Sequence, residues 1–419
     1  MNKEIKERIK SIKTNQLPNG YRRVKDIGIA PKDWTLGKLS DVIKNVQRPV
    51  SKPNEPYWRL GIKSWAKGTF HAFVDDPETV NMDELYEVKE NDLIVNITFA
   101  WEHAIAIAKK EDDGLLVSHR FPTYVFKEGQ VTEYYQAVIT QGYFKDMLDH
   151  ISPGGAGRNR VLNRKAFLNL PCIIPPEAEQ EKMAKILSNC EKVIELKEKI
   201  LAEKEKYKKF LVRQLLLHNQ DAVIDNNWQT IKIKDVFDFL KGVGLSKENV
   251  IETGKNKCIL YGELFTTYDC KINKIYSRTD SSEGVLSKKN DILMPCSTTT
   301  KGVDLATASV INENDVLLGG DILVLRPNKT IDVNFFAYLI SSLSKKISLY
   351  TQGITIIHLQ TSDFKNMEVK IPGTLEEQKK ISDILSAIDN DIAISRQEIL
   401  EWNRYKRFLT QVLLRGIVR

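Results

Sequence analysis

The chain has little of what marks a membrane protein, a disulfide scaffold or a solitary enzyme. It contains no run of about 18 apolar residues, so no membrane-spanning helix is expected. Residues 1–13 hold no continuous apolar stretch and do not read as a secretory signal. The five cysteines, Cys172, Cys190, Cys258, Cys270 and Cys296, are dispersed with no CxxC pair. That fits reduced thiols in a cytosol and neither a disulfide framework nor a zinc site. A phosphate loop is missing, because Gly154-Gly155-Ala156-Gly157-Arg158 lacks the Lys-Ser ending that completes such a cradle. There is no HExxH, no nucleophile elbow, no AdoMet-type glycine loop and no Asn-Pro-Pro-Tyr or Asp-Pro-Pro-Tyr tetrad. The six histidines are isolated, and Asp75-Asp76 and Glu111-Asp112-Asp113 read as solvated turns before metal carboxylates. No catalytic residue and no metal ligand set is expected of this chain.

What is present is a duplication. Asp33-Trp34-Thr35-Leu36-Gly37-Lys38-Leu39-Ser40-Asp41-Val42 returns as Asn227-Trp228-Gln229-Thr230-Ile231-Lys232-Ile233-Lys234-Asp235-Val236. Residues 180–216 are echoed by 378–414, with Ile186/Ile384, Ser188/Ser386, Ile194/Ile392, Tyr207/Tyr405 and Phe210/Phe408 among the matching columns. A repeat this long is a whole domain plus a helix, and it predicts a pseudo-two-fold object. The length of 419 residues allows two or three domains, and 28% charged with 42% hydrophobic residues is ordinary for a soluble globular chain. A net charge of +7 leans toward a polyanionic partner.

Within each half the pattern predicts an α+β domain. In the first, 92–95, 103–108, 123–126 and 172–174 are strand-like and 132–147 is helical. Asn91-Asp92-Leu93-Ile94 corresponds to Asn290-Asp291-Ile292-Leu293, whereas residues 97–103 share nothing with 297–302. One frame with different loops suits two readers of different targets, and drift after duplication leaves the same trace.

Each domain ends in a strand and a proline, followed by a helix of about 40 residues, about 60 Å long. Met183, Leu187, Cys190, Ile194, Lys197, Leu201 and Lys204 repeat at 4-3 spacing, as do Ile381, Leu385, Ile388, Ile392, Ser395, Ile399 and Trp402. That is a coiled-coil seam with polar places at Lys197, Lys204 and Ser395. The stretch from Leu217 to Trp228 spans at most roughly 35 Å, so the second domain must start at the far end of the first helix. If the helices pair with each other they run antiparallel, with one domain at each end. The N-terminal helix (Ile5, Ile9, Ile12) then meets the end of the second long helix. Pairing in trans between two copies, or two helices packed only on their own domains, would use the same seam.

The ordered set of Pro31-Lys32-Asp33-Trp34, a domain, Pro175-Pro176-Glu177-Ala178-Glu179-Gln180, a long helix, and a second round through Pro372 and Glu377-Gln378 resembles the specificity subunit of type I restriction-modification enzymes. The resemblance covers essentially the whole chain. It departs only at Asp225-Asn226-Asn227-Trp228, which has no proline. It implies two tandem repeated α+β target recognition domains separated by two long helices forming an antiparallel coiled coil. The expected bounds are an N-terminal helix at 1–20, recognition domains at 21–175 and 219–372, and spacer helices at 176–218 and 373–419. The resemblance further implies a bipartite, asymmetric site on double-stranded DNA, one half read by each domain, with the helices setting the gap. It implies two methyltransferase subunits docked on the helices and motor-nuclease subunits joining them. AdoMet, ATP and Mg are expected on those partners and no cofactor on this chain. The setting implied is the cytoplasm of a bacterium or archaeon, at the nucleoid.

Contacts to DNA need donors for base edges and cations for phosphates. Candidates in the first domain are Arg48, Lys63, Trp65, Lys67, Trp101, His103, His119, Arg120, Arg158 and Arg160, with Trp65 and Trp101 leaning toward core positions. Candidates in the second are Lys241, Lys247, Glu263, Thr299, Thr300, Lys301, Gln352, His358 and Gln360, with Gln360 suited to adenine and Glu263 to cytosine. Tyr207, Phe210, Tyr405 and Phe408 lie where the seam fades and are either a partner-docking strip or caps of the coiled coil. Two other readings stay open. A coiled-coil adaptor with two protein-binding domains predicts no DNA affinity. An enzyme with two diverged sites needs paired catalytic residues, which Trp101-Glu102-His103 and Thr300-Lys301-Gly302 do not preserve.

Overall fold

The computed structural model describes residues 3–14, 16–155, 160–221 and 227–418. It divides into two units, residues 1–197 with 399–419, and residues 198–398. Both divisions fall inside the long helices, Glu177–Val212 and Leu375–Leu414, so each unit holds one α+β domain and a segment of each helix.

The two domains share one strand plan. In the first, an antiparallel sheet runs in the order Ile105–Ile107, Leu93–Val95, Thr123–Phe126, Ile43–Val46. A second sheet runs Pro49–Ser51, Glu84–Glu87, Leu116–Val117, Tyr57–Ile62, Thr69–Val74, with one parallel pair at Leu116 beside Arg59. The second domain repeats the first sheet with Ser309–Ile311, Ile292–Pro295, Ile322–Pro327 and Phe237–Lys241, and adds Lys271–Ile272 at its edge. It repeats the other with Val285–Leu286, Leu317–Leu318, Asn256–Ile259 and Ser277–Thr279, again with one parallel pair. Leu93–Val95 and Ile292–Pro295 are buried throughout, which is why both read as unbroken apolar runs. Each domain is closed by a two-stranded ladder that brings its last strand back to an early one, Thr35–Lys38 with Pro171–Ile174 and Trp228–Lys232 with Glu368–Pro372; in the first domain the hairpin Tyr21–Val24 with Gly28–Pro31 comes before it. A three-stranded sheet of Ser297–Thr298, Ile357–Leu359 and Thr351–Gln352 has no counterpart among the described residues of the first domain.

The shared Asn-Asp pair has a backbone cause. Asn91 and Asn290 both take left-handed conformations, φ 69° and 75°. The aspartate that follows turns its carboxylate back onto the amide three residues earlier, Lys89 N–H and Lys288 N–H, both at 2.8 Å. Each buried carboxylate is then neutralised by a bidentate arginine. Arg48 serves Asp92 at 2.6 and 3.1 Å, and Arg326 serves Asp291 at 2.9 and 2.7 Å. Arg48 comes from the link between Ile43–Val46 and Pro49–Ser51 and Arg326 from the strand Ile322–Pro327, so the pair is kept while its sequence position is not.

The helix expected over 132–147 is two helices, Thr132–Ile139 and Gly142–His150, broken at Thr140-Gln141. Tyr134 and Tyr135 of the first, like Phe335 and Phe336 of Val333–Ser342, are fully buried in their domain's core. The seam of the long helices faces inward as its spacing predicts, with Met183, Leu187, Cys190, Ile194, Leu385, Ile392 and Ser395 buried. Within each unit the two helical segments run antiparallel. In the first, Glu191 pairs with Lys406 at 2.6 Å, while Met183 and Leu187 share a core with Leu413. In the second, Lys204 meets Asp391 at 2.8 Å and Lys208 meets Asp389 at 2.5 Å. The polar seam places are matched there, since Lys204 Nζ donates to the buried Ser395 hydroxyl at 2.9 Å. The N-terminal helix, Lys3–Lys13, reaches the end of the second long helix through Arg8, which donates to the Ile417 carbonyl at 3.4 Å.

Each long helix is bolted to its domain by a buried glutamine. Gln180 accepts from Val131 N–H at 3.0 Å and donates to the Pro175 carbonyl at 2.9 Å. Gln378 accepts from Asp332 N–H at 3.1 Å and donates to the Pro372 carbonyl at 3.2 Å. One amide thus joins the last strand, the first domain helix and the long helix. Gln378→Leu leaves a buried N–H and a buried C=O unpaired, and a loss of about 2 kcal/mol or more is expected. Urea unfolding measures it, and an unchanged midpoint would show that the clamp contributes nothing.

Candidate nucleic-acid interface

In the first domain most of the candidates converge. Tyr57–Ile62 and Thr69–Val74 form a hairpin whose turn is closed by Lys63 N–H on the Gly68 carbonyl at 2.9 Å. This turn lies against the 100–103 segment, with Trp65 N–H on Glu102 O and Ala66 N–H on His103 O, both 2.8 Å. Trp65 is not a core residue. It has φ 64°, is 62% exposed, and carries the Lys145 ammonium 5.0 Å from its ring centre. Trp101 is half-buried, donates to the Thr98 carbonyl at 3.2 Å and carries the Arg160 guanidinium 5.1 Å from its ring centre. Arg120 is exposed and touches Thr98 Oγ1 at 3.3 Å. Lys63, Trp65, Lys67, Trp101 and Arg120 therefore sit around one corner, with His119 exposed next to Arg120.

Three first-domain candidates are occupied by the fold. Arg48 is committed to Asp92, as described above. His103 is buried at φ 65°, where its Nε2 donates to the Ile139 carbonyl at 2.6 Å, and burial pushes its pKa below the usual value. Arg160 donates to the carbonyls of Ser152 and Asp149 at 2.9 Å and to the Asp149 carboxylate at 2.6 Å. It shapes the corner and leaves no free fork for a guanine. Arg158 lies outside the described residues.

The second domain gathers a different set. The extra three-stranded sheet places Gln352 opposite His358 and His358 opposite Ser297, so the loop from Thr299 to Lys301 borders the same hairpin. Gly302 approaches Thr351 so closely that a Cβ would lie 2.6 Å from its hydroxyl, which seats the hairpin on that loop. Thr300 turns its hydroxyl to Asp304, whereas Thr299 and Lys301 are exposed. Lys241 joins from the side through Asp321, 3.9 Å from its ammonium, and Asp321 also accepts from Ser297 Oγ at 3.0 Å. Lys247 is exposed on its own short turn, and Gln360 caps the following helix through its backbone carbonyl. Glu263 is occupied: its carboxylate accepts from Leu260 N–H and the Ser277 hydroxyl, both at 2.7 Å. A carboxylate spent on two donors has little left for a cytosine amine.

Sequence reading missed the exposed aromatics of the first hairpin, Trp58 and Phe73, whose rings lie 5.0 Å apart. Neither strand alternates, YWRLGI and TFHAFV, so nothing in the local pattern marks these two rings as outward. It also missed Lys145, which nothing local in the sequence marks.

On the long helices, Tyr207 and Phe210 stack with ring centres 6.2 Å apart and are about half exposed, as are Tyr405 and Phe408. Tyr405 also meets the seam residue Trp402 edge-on, ring centres 5.8 Å apart. Leu196 and Ile394, equivalent in the repeat, are also exposed. Each unit has a cleft between the helix pair and its domain, about 710 Å³ in the first and about 1140 Å³ in the second. Repeat-related residues line the two, Ser188 and Lys406 in one, Ser386 and Lys208 in the other.

No group of three or more His, Cys, Asp or Glu able to hold a metal occurs among the described residues. No described helix is long and apolar enough to cross a membrane. All five cysteines carry free thiols.

One frame used twice, joined through antiparallel helices and presenting two unlike polar clusters, defines a duplicated two-domain binding protein. The chain belongs to the type I restriction modification DNA specificity family, whose domain matches it twice, over 31–206 and 225–403. It is 23% identical to the type I restriction enzyme MjaVIII specificity subunit of Methanocaldococcus jannaschii, across 93% of this chain and 94% of that one. Its fold is similar to the HsdS subunit from Thermoanaerobacter tengcongensis, with a TM-score of 0.51 at 17% identity, covering 93% of this chain and 98% of that one. A chain solved in a study of assembly and conformational transition of the type I R-M system matches with a TM-score of 0.61 at 16% identity, covering 93% and 99%.

The His103 environment sets a pH dependence. The unfolded chain takes up a proton near pH 6.5 that the folded ring resists, because burial lowers its pKa. The stability this ring contributes is present above that value and is lost as pH falls below it. His103→Asn, which tolerates the left-handed backbone, should flatten this slope in urea unfolding between about pH 8 and pH 5.

Proposed function

We propose that this chain is the DNA specificity subunit of a type I restriction-modification complex, with each domain reading one half of a bipartite, asymmetric duplex site. The observation that carries the reading is the repeat itself. Scaffold contacts recur in both domains (Gln180 and Gln378, Asp92 and Asp291), while the exposed clusters differ. Two identical clusters would read a symmetric site, and unlike clusters read an asymmetric one. The first cluster comprises Lys63, Trp65, Lys67, Trp101, His119 and Arg120. The second comprises Lys241, Thr299, Lys301, Gln352 and His358, with Lys247 and Gln360 beside it in sequence. The seam of the long helices sets the distance between half-sites.

In this reading the chain carries no chemistry of its own. Two methyltransferase subunits dock on the helices, with Tyr207 and Phe210 in one unit and Tyr405 and Phe408 in the other as repeat-related aromatic pairs that support such docking, and with one cleft in each unit beside its helices. AdoMet, ATP and Mg belong to those methyltransferases and to the motor-nuclease subunits that join them. The assembly works in the cytoplasm of a bacterium or archaeon, at the nucleoid.

Mapping adenine methylation across the source genome, with and without the gene, tests the reading. Deletion should remove one two-part asymmetric motif, and an unchanged map would refute the proposal. At residue level, Lys301→Ala should lower the salt slope of DNA binding by about one counterion. An unaltered slope would take Lys301 out of the phosphate contacts.

A further inference from the structure

On the reading just given, the geometry points to a specificity-determining residue in the second domain: Ile354 meets the 5-methyl group of a thymine in the major groove. Ile354 stands at the tip of the hairpin made by Thr351–Gln352 and Ile357–Leu359 and is 100% exposed. A fully exposed isoleucine gains nothing from the folded chain, since an apolar side chain stabilises only what it removes from water. The tip is also closed against collapse. Gly353 has φ 128°, and a Cβ there would lie 1.9 Å from the Ile356 carbonyl oxygen, so the backbone is already in contact beneath Ile354.

The surroundings name the occupant. The hairpin strands pair antiparallel, with Ser297–Thr298 on the outer edge of Ile357–Leu359, so only the exposed 353–356 turn, two strands wide, is free to enter a major groove about 12 Å wide. On its flanks stand Gln352, His358, Thr299 and Lys301, all exposed and all able to hydrogen-bond base edges or phosphates. Ile356 in the same turn is about half exposed and Leu349, just before the hairpin, is 81% exposed; set among these polar side chains, so few apolar groups fall short of the contiguous patch that a protein interface core wants. Among the four base pairs, the apolar group offered in the major groove is the thymine methyl. Sequence alone hid this residue, because Ile354-Thr355-Ile356-Ile357 reads as a buried strand.

The test uses the complex of this chain with its methyltransferase subunits and a duplex carrying the motif revealed by methylation mapping. Each thymine of the motif is replaced singly by deoxyuridine, which pairs identically and lacks only the methyl. One such replacement should weaken binding of the native complex about fourfold, the effect of about one buried methyl. With Ile354→Ala the same thymine and deoxyuridine duplexes should bind alike, and Ile354→Val should keep part of the difference. The thermal midpoint of both variants should equal that of the native chain, as the side chain packs on nothing. The inference is overturned if Ile354→Ala keeps the native thymine preference, if no replacement affects the native complex, or if the motif contains no thymine. It is equally overturned if Ile354→Ala loses affinity for both duplexes and still distinguishes them, as a wedge between base steps would. A native complex with no sequence preference at all would instead sink the specificity reading on which this inference rests.

Discussion

A single buried glutamine amide at the head of each long helix holds the geometry of its unit. A helix of this length has marginal cohesion with a globular domain unless something fixes its first turn. Gln180 and Gln378 do this with both ends of the amide, taking an N–H from the segment that starts the domain helix and giving one to the carbonyl that ends the last strand. Buried amides of this kind are costly when half-satisfied and rigid when fully satisfied. Trp34 adds a second link in the first unit, where its buried indole donates to Glu179 at 3.2 Å. The direction in which each long helix leaves its domain is thereby set by contacts within a few residues of its start.

Around that joint the domain is closed rather than open. The last strand of each domain pairs with an early one, Pro171–Ile174 with Thr35–Lys38 and Glu368–Pro372 with Trp228–Lys232, so the chain enters and leaves each domain at neighbouring points. The loops then hang between fixed strand ends. This separation lets the exposed clusters diverge while the Asn-Asp turn, the bidentate arginine and the glutamine joint persist. The arginine shows how the constraint acts. The buried aspartate requires a guanidinium, yet its position along the chain is free, so Arg48 from a link and Arg326 from a strand reach equivalent carboxylates.

Features of the sequence that reflect a period or a backbone requirement were legible. The 4-3 spacing became the buried seam, and even its misfit resolved into Lys204 on Ser395. The repeated Asn91-Asp92 and Asn290-Asp291 are one left-handed turn used twice. What was illegible depends on tertiary partners. The break at Thr140-Gln141 interrupts a pattern that reads as continuous helix. His103 and Glu263 carry groups suited to base edges, and only the folded chain shows that Ile139, Leu260 and Ser277 already occupy them. Trp65 was expected to lean toward the core because tryptophan usually does, but a positive φ in a hairpin turn throws its ring outward.

Reading for DNA contacts favours arginine, whose planar fork matches a guanine edge. The same fork matches a carboxylate, and the fold commits several arginines to such partners. Arg48, Arg160 and Arg326 are all held this way, at distances of 2.6 to 3.1 Å. Lysine, a strongly hydrated point charge, gains less from burial and stays outside, as Lys63, Lys67 and Lys301 do. The exposed cations of both clusters are therefore mostly suited to phosphates. Base discrimination falls to hydroxyls, amides, imidazole and apolar tips, whose placement the loops determine and the frame does not.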